Sequence, residues 1–237
     1  MDNSVLTFGE KGNPAIVFFH GWGGGFSSFL FFAQQLSKKY FCVVFDFNKM
    51  INSAPPKHME DFAHEVKSTL DELNVTCAFA VGHSFGGRVI AKTATIFPEI
   101  FKKIVLVDSA GLPPRRSLWY HIKVRWFKLN VRLARAGLIK TSRLARFGSR
   151  DYMALNSVAK QTFKNVVNEN LTPCFASIRV PTLIFWGEKD RETPPVMAKK
   201  LNKIIKDSGI VWINGAGHFS YLDAPQLFRA AILEFFK

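Results

Sequence analysis

The run Gly82-His83-Ser84-Phe85-Gly86-Gly87 sets a serine between glycines, after a short apolar stretch and before one compatible with a helix. A G-x-S-x-G turn in that setting puts its serine on a sharp, strained bend and lifts the hydroxyl clear of the sheet. Its neighbours are glycine because side chains would collide with the turn. A hydroxyl becomes a useful nucleophile only when an adjacent base takes its proton and a third group orients that base. The histidines are His20, His58, His64, His83, His121 and His218. Only His218, in Gly215-Ala216-Gly217-His218-Phe219, combines a position after the serine with a glycine-flanked loop at the end of an expected strand. The acid candidate is Asp190 in Trp186-Gly187-Glu188-Lys189-Asp190, with Glu188 and Asp108 as substitutes.

Attack of a serine on a carbonyl leaves an oxyanion, which backbone N–H groups can hold. One expected donor is the amide of Phe85, directly after the nucleophile. The other is the amide of Trp22 in Phe19-His20-Gly21-Trp22-Gly23-Gly24-Gly25. Glycine-rich loops also cradle phosphates. Here the pair Gly21-x-Gly23 lacks the third spaced glycine of a dinucleotide site, and no GK[ST] follows, so a nucleotide is not expected.

These residues need a scaffold that brings strand ends together. Short β-branched and aromatic runs at 15–19, 41–46, 77–81, 103–107, 182–186 and 209–213 alternate with helical stretches at 27–38, 59–73, 87–97, 196–206 and 225–236. Continuous apolar runs separated by helices indicate parallel strands buried on both faces. The expected class is α/β, a mostly parallel, doubly wound sheet. Such sheets bind ligands beyond the carboxyl ends of their strands, which is where each candidate lies.

With HGWGGG, GHSFGG, WGEKD and GAGH in order along the whole chain, the sequence resembles the α/β-hydrolase superfamily of serine esterases and related hydrolases. The order Ser84, Asp190, His218 is that superfamily's order. The resemblance implies a serine hydrolase acting on a small acyl ester or thioester, with no cofactor and no metal. Other chemistries on the same three residues are carbon–carbon bond hydrolysis and lysophospholipid cleavage, and a catalytically silent binding protein is the non-enzyme alternative. The resemblance also implies a helical cap inserted into the core, here residues 112–175, leaving 1–111 and 176–237 as the hydrolase core. Two departures stand out: the chain starts close to its first core strand, so a leading β-hairpin is expected to be shortened. The loop at 46–53 lacks the GxGxS pattern.

The net charge of +14 is concentrated in that insert, where thirteen Lys and Arg face only Asp151 and Glu169. Between Leu118 and Ala136, His121, Arg125, Lys128, Arg132 and Arg135 recur at helical spacing, as do Leu118, Ile122, Trp126, Leu129 and Leu133 on an apolar face. A basic amphipathic helix of this kind either packs over the pocket with its cations in water or meets an anionic partner. A resemblance to esterases of pimeloyl thioesters, through HGWG and the basic cap, makes acyl carrier protein one such partner; an anionic lipid surface is another. Nucleic acid is not expected, since no base-reading module is present. Hydrophobic residues at 48% and charged residues at 21% exclude wholesale disorder. Cys42, Cys77 and Cys174 are widely spaced, so neither disulfides nor zinc are indicated. With no signal-peptide pattern and no apolar stretch of about 18 residues, a cytoplasmic location is expected.

Overall fold

The computed structural model describes residues 4–113, 125–126, 129–134, 136 and 155–237. Seven strands form one sheet: β1 (Val5–Phe8), β2 (Ala15–Phe19), β3 (Phe41–Phe45), β4 (Ala78–His83), β5 (Phe101–Val107), β6 (Thr182–Gly187) and β7 (Ser208–Ile213). Their spatial order is β1-β3-β2-β4-β5-β6-β7, with β1 antiparallel to β3 and every other pairing parallel. All residues of β2, β3 and β4 are buried. Alternate side chains of a strand point to opposite faces, so each strand feeds two cores. Val17, Phe19, Val43 and Phe45 pack on one side, against α3 (Met59–Glu72) and α4 (Phe85–Ile96). Ile16, Phe18, Cys42 and Val44 pack on the other, against α1 (Leu30–Leu36) and the closing helix α9 (Pro225–Phe235). That double burial is why the strands read as continuous rather than alternating apolar runs.

The sheet runs to opposite sides of β2: β3, next in the chain, lies on one side and β4 on the other. This reversal opens a crevice at the carboxyl ends of β2 and β4. The loop from His20 begins there, and so does the turn at Ser84. Only Ser84 separates β4 from α4, with φ 48° and ψ −105°. A Cβ added at Gly86 would sit 2.1 Å from the Phe19 carbonyl oxygen, and one at Gly82 would sit 2.6 Å from the Gly86 carbonyl carbon. The helix therefore presses on β2 and on its own strand at positions that admit only hydrogen.

Several elements differ from expectation. Helix α4 begins at Phe85, two residues earlier than expected, because tertiary contact outweighs the poor helix propensity of Gly86 and Gly87. The expected helix at 27–38 divides into a 3-10 turn, Phe26–Ser28, and α1. The loop at 46–53 contains a short helix, α2 (Asn48–Asn52). Before β2 stands the single antiparallel strand β1.

Between β5 and β6 the described residues form α5 (Ser157–Asn168) and α6 (Thr172–Ser177). The expected insert boundary at 175 falls inside α6, whose Phe175 is fully buried in the same cluster as Leu171 and Ile178. Residues 125–126 and 129–134 are helical, within the helix expected over 118–136. Of the apolar face described there, Trp126 and Leu129 are 57% and 51% exposed, while Leu133 is half-buried. His121, Lys128 and Arg135 lie outside the described residues. Among the described residues no helix is long and apolar enough to cross a membrane.

Gly86→Ala is expected to lower the unfolding free energy by about 3 kcal/mol, the upper end for overpacking. Gly12→Ala, whose added Cβ meets nothing within 4 Å, should change it by less than about 1 kcal/mol. Urea titration of the two variants measures the difference, and equal stability would contradict this account of the turn.

Candidate active site

The three candidate side chains come from the ends of three strands. Ser84 follows β4, Asp190 lies in the loop after β6, and His218 in the loop after β7. Strands β6 and β7 are neighbours, and their loops are tied by bonds from Lys189 N–H to the Ala216 carbonyl (2.9 Å) and from Glu188 N–H to the Ile213 carbonyl (3.1 Å). His218 Nε2 lies 3.0 Å from Ser84 Oγ, and His218 Nδ1 lies 2.9 Å from Asp190 Oδ2. A carboxylate only accepts, so Nδ1 carries the proton and Nε2 offers its lone pair to the serine hydroxyl. Of the two substitute acids, Glu188 is exposed, while Asp108 is bonded to other partners.

Asp190 is 3% exposed and accepts N–H bonds from Glu192 (2.8 Å) and Thr193 (3.0 Å) on Oδ1. The Thr193 hydroxyl lies between Asp190 Oδ2 (2.5 Å) and the Asp108 carbonyl (3.0 Å). Burial alone would raise the Asp190 carboxyl, but the bonds from His218 and Thr193 outweigh it and hold the pKa below its ordinary value. Burial alone would lower His218; its bond to Asp190 and the charge of that group outweigh this and hold it above 6.5.

The glycine-rich loop after β2 is fastened from behind. Phe47 N–H donates to His20 Nε2 (3.0 Å), which leaves the His20 proton on Nδ1 to bond the Gly21 carbonyl (2.7 Å). Asn48 Nδ2 holds the Gly24 carbonyl at 2.8 Å. Trp22 packs edge-on against Phe85 and Phe163, with ring centroids 5.5 Å and 5.0 Å away. Trp22 and Phe85 both line the cavity beside Ser84, and neither backbone N–H is taken by another backbone group among the described residues.

Sequence reasoning left His83 and Asp108 without these roles. His83 Nε2–H donates to the His218 carbonyl (2.8 Å), and its ring lies 4.9 Å from that of His218. Burial, then the neighbouring His218, push its pKa down to about 3, so it stays a neutral donor. Asp108 ends β5 with φ 43°, fully buried. It accepts from Gly187 N–H (2.9 Å), Ser220 N–H (3.1 Å) and the Ser220 hydroxyl (2.5 Å), tying the end of β6 to the residue two places beyond His218. Burial raises its carboxyl to about 7 despite these donors. A polar residue inside the elbow motif, and an aspartate closing an apolar strand, were the available signals. Neither names a partner.

The site opens on a cavity of about 580 Å³. Trp22, Leu155, Phe163, Val166 and Phe219 make its walls largely apolar; Arg88, Glu192 and Thr193 join Ser84 and His218 as its polar lining. Glu192 Oε2 lies 3.4 Å from His218 Nε2, where its charge favours the protonated imidazole. Among the described residues no group of three His, Cys, Asp or Glu side chains could hold a metal ion.

Known proteins match this chain across nearly its full length. Residues 16–231 match the model of the Alpha/beta hydrolase family. The relative named "Uncharacterized hydrolase YugF" from Bacillus subtilis (strain 168) is 24% identical over 254 residues, covering 96% of this chain and 92% of its own. Lipase 3 of Moraxella sp. (strain TA144) is 25% identical, covering 92% of this chain and 77% of its own. In structure, the enol-lactonase of Burkholderia xenovorans LB400 superposes with a TM-score of 0.72 at 20% identity, covering 98% of this chain and 95% of its own. With the family model matched from the first parallel strand into the closing helix, the chain belongs to the alpha/beta hydrolase family.

Proposed function

We propose that the protein is a serine hydrolase that cleaves a carboxylic ester or thioester through an acyl-enzyme intermediate. The observation that carries this reading is the unbroken chain from Ser84 through His218 to Asp190, with links of 3.0 and 2.9 Å, at the mouth of a largely apolar cavity. The name of the Moraxella relative, Lipase 3, supports an ester substrate.

In this mechanism Ser84 Oγ attacks the acyl carbonyl while His218 Nε2 takes the hydroxyl proton. Asp190 holds the imidazole in the tautomer that can accept and stabilises the cation that results. The carbonyl electrons move onto oxygen, where the amides of Trp22 and Phe85 hold them; each such donor contributes about 3–4 kcal/mol. Collapse breaks the ester bond, and His218 returns its proton to the departing alcohol or thiol. Water then attacks the acyl-enzyme carbonyl and gives a proton to His218, which passes it to Ser84 Oγ as the acyl–oxygen bond breaks and the acid leaves. Residues 112–175 act as a cap in this reading: α5, which lies within them, walls the cavity with Phe163 and Val166. The cationic surplus of that segment suits an anionic partner, either acyl carrier protein or a lipid surface.

Hydrolysis of p-nitrophenyl esters of graded chain length tests the assignment. Ser84→Ala should reduce kcat by about 10⁶, the loss typical of a triad nucleophile, and a fluorophosphonate probe should label the wild type at Ser84. Activity confined to diketones would overturn the ester reading, activity confined to lysophospholipids would narrow it to that class of ester, and a wild type that the probe leaves unlabelled would favour a silent binding protein.

The pH dependence supplies a second test. Only neutral His218 can accept the serine proton, and its pKa is held above 6.5. The acidic limb of kcat/KM should therefore fall above pH 6.5, with activity lost as pH drops through it. Asp190→Asn removes the carboxylate, leaves burial in control, and should move the limb downward while lowering kcat by about 10⁴. A limb that stays in place would remove Asp190 from its role.

A further inference from the structure

One turn along α4 from Ser84, a rise of about 6 Å, Arg88 lines the same cavity while only 5% exposed. Its Nη2 donates to the carbonyls of Val166 and Glu169, the latter at 2.6 Å, at the end of α5. Nε is buried with no acceptor, and no acceptor meets Nη1 among the described residues. Glu169, whose charge acts on Arg88, is engaged elsewhere: its carboxylate bonds Lys92 Nζ at 2.7 Å, and Lys92 also takes Glu60 at 3.0 Å. Among the described residues Arg88 thus has carbonyl partners and no bonded carboxylate, although a buried guanidinium is costly unless paired and its fork matches a carboxylate.

The charge beside His218 is opposite. Glu192 stands there, and a departing group must lie against His218 to receive its proton. An anionic leaving group would be repelled there, which leaves the acyl part as the one to meet Arg88.

Resting on the ester-hydrolase reading above, we propose that Arg88 receives a carboxylate carried on the acyl part of the substrate, so that the bond cleaved at Ser84 belongs to a half-ester or half-thioester of a diacid. The apolar wall takes the methylenes between the two ends, and the guanidinium takes the free carboxylate.

The test compares kcat/KM for p-nitrophenyl hemiglutarate with that for p-nitrophenyl valerate, its neutral counterpart. The wild type should prefer the hemiglutarate at least tenfold. Arg88→Met should bring that ratio close to one, and Arg88→Lys, which restores a cation, should recover part of it. A wild-type ratio near one, or a ratio unchanged in Arg88→Met because both rates fall together, would overturn the proposal and leave Arg88 as a clasp on α5. Should the Arg88 variants fail to fold, calorimetry on Ser84→Ala decides: monomethyl glutarate, which carries the free carboxylate, should bind at least tenfold more tightly than neutral methyl valerate, and equal binding would overturn the assignment. If neither p-nitrophenyl ester is turned over while Ser84→Ala still selects monomethyl glutarate, the hydrolase reading fails and the carboxylate site stands.

Discussion

The contact between Gly86 and the Phe19 carbonyl sets the position of almost everything that bears on chemistry. It lets α4 lie directly on β2, and α4 can do so only if the chain turns from β4 within one residue. That residue, Ser84, is left in a left-handed conformation at φ 48°, a strain of about 1–3 kcal/mol for a residue other than glycine. Burial on both faces of β2 and β4 holds the turn shut. Val17, Phe19, Ala80 and Val81 are fully buried, and each large apolar side chain removed from water contributes about 1.5–3 kcal/mol. The strain is thus sustained by packing far larger than itself, and the hydroxyl has little freedom to leave the crevice.

The histidine has no comparable anchor in the backbone, because it sits in a loop after β7. Its position comes from a buried polar network instead. His83 holds the His218 carbonyl, Asp108 holds Ser220, and Thr193 bridges the Asp190 carboxylate and the Asp108 carbonyl. Members of a buried network stabilise one arrangement only when their donors and acceptors are paired. Here the ends of β4, β5 and β6 each contribute a member, so the loop after β7 is referred to three strands of the sheet at once. The catalytic reading and the fold meet in Asp108: it bears on no substrate, yet it fixes the spacing between the acid loop and the histidine loop.

How much of this the sequence discloses depends on whether a feature is local. The parallel strands are legible because double burial writes itself into unbroken runs such as Ala-Ile-Val-Phe-Phe, and the elbow is legible because its serine and glycines fall within six consecutive residues. The four residues of β1 at the sheet edge, three half-buried and Thr7 exposed, carry no such signal, and α2 is a single short helix of polar and apolar residues at a strand end. The start of α4 is hidden because two glycines argue against a helix that tertiary contact nevertheless imposes. The partnerships of His83, Asp108 and Arg88 span 135, 112 and 78 residues, so no spacing rule reaches them. In the basic segment the helical periodicity at 125–126 and 129–134 is real, but periodicity says which side chains share a face and not what covers it. Trp126 and Leu129 show the difference.

Helix α4 also governs the far wall of the cavity. Arg88 grips the carbonyls at the end of α5, and Lys92, one turn further on, bonds the Glu169 carboxylate. From the other side Phe163 of α5 packs on Trp22, which packs in turn on Phe85 at the start of α4. Ser84, the glycine-rich loop and the cavity wall therefore take their positions from one helix, and a shift of α5 would disturb the ring packed edge-on against Trp22 along with the cavity's shape. A site built this way is organised before any ligand arrives, which is the condition under which fixed amides and a fixed charge act without first having to reorient. The closeness of the Ser84–His218–Asp190 links follows from that construction: the elements that carry them are bound to each other for reasons of packing.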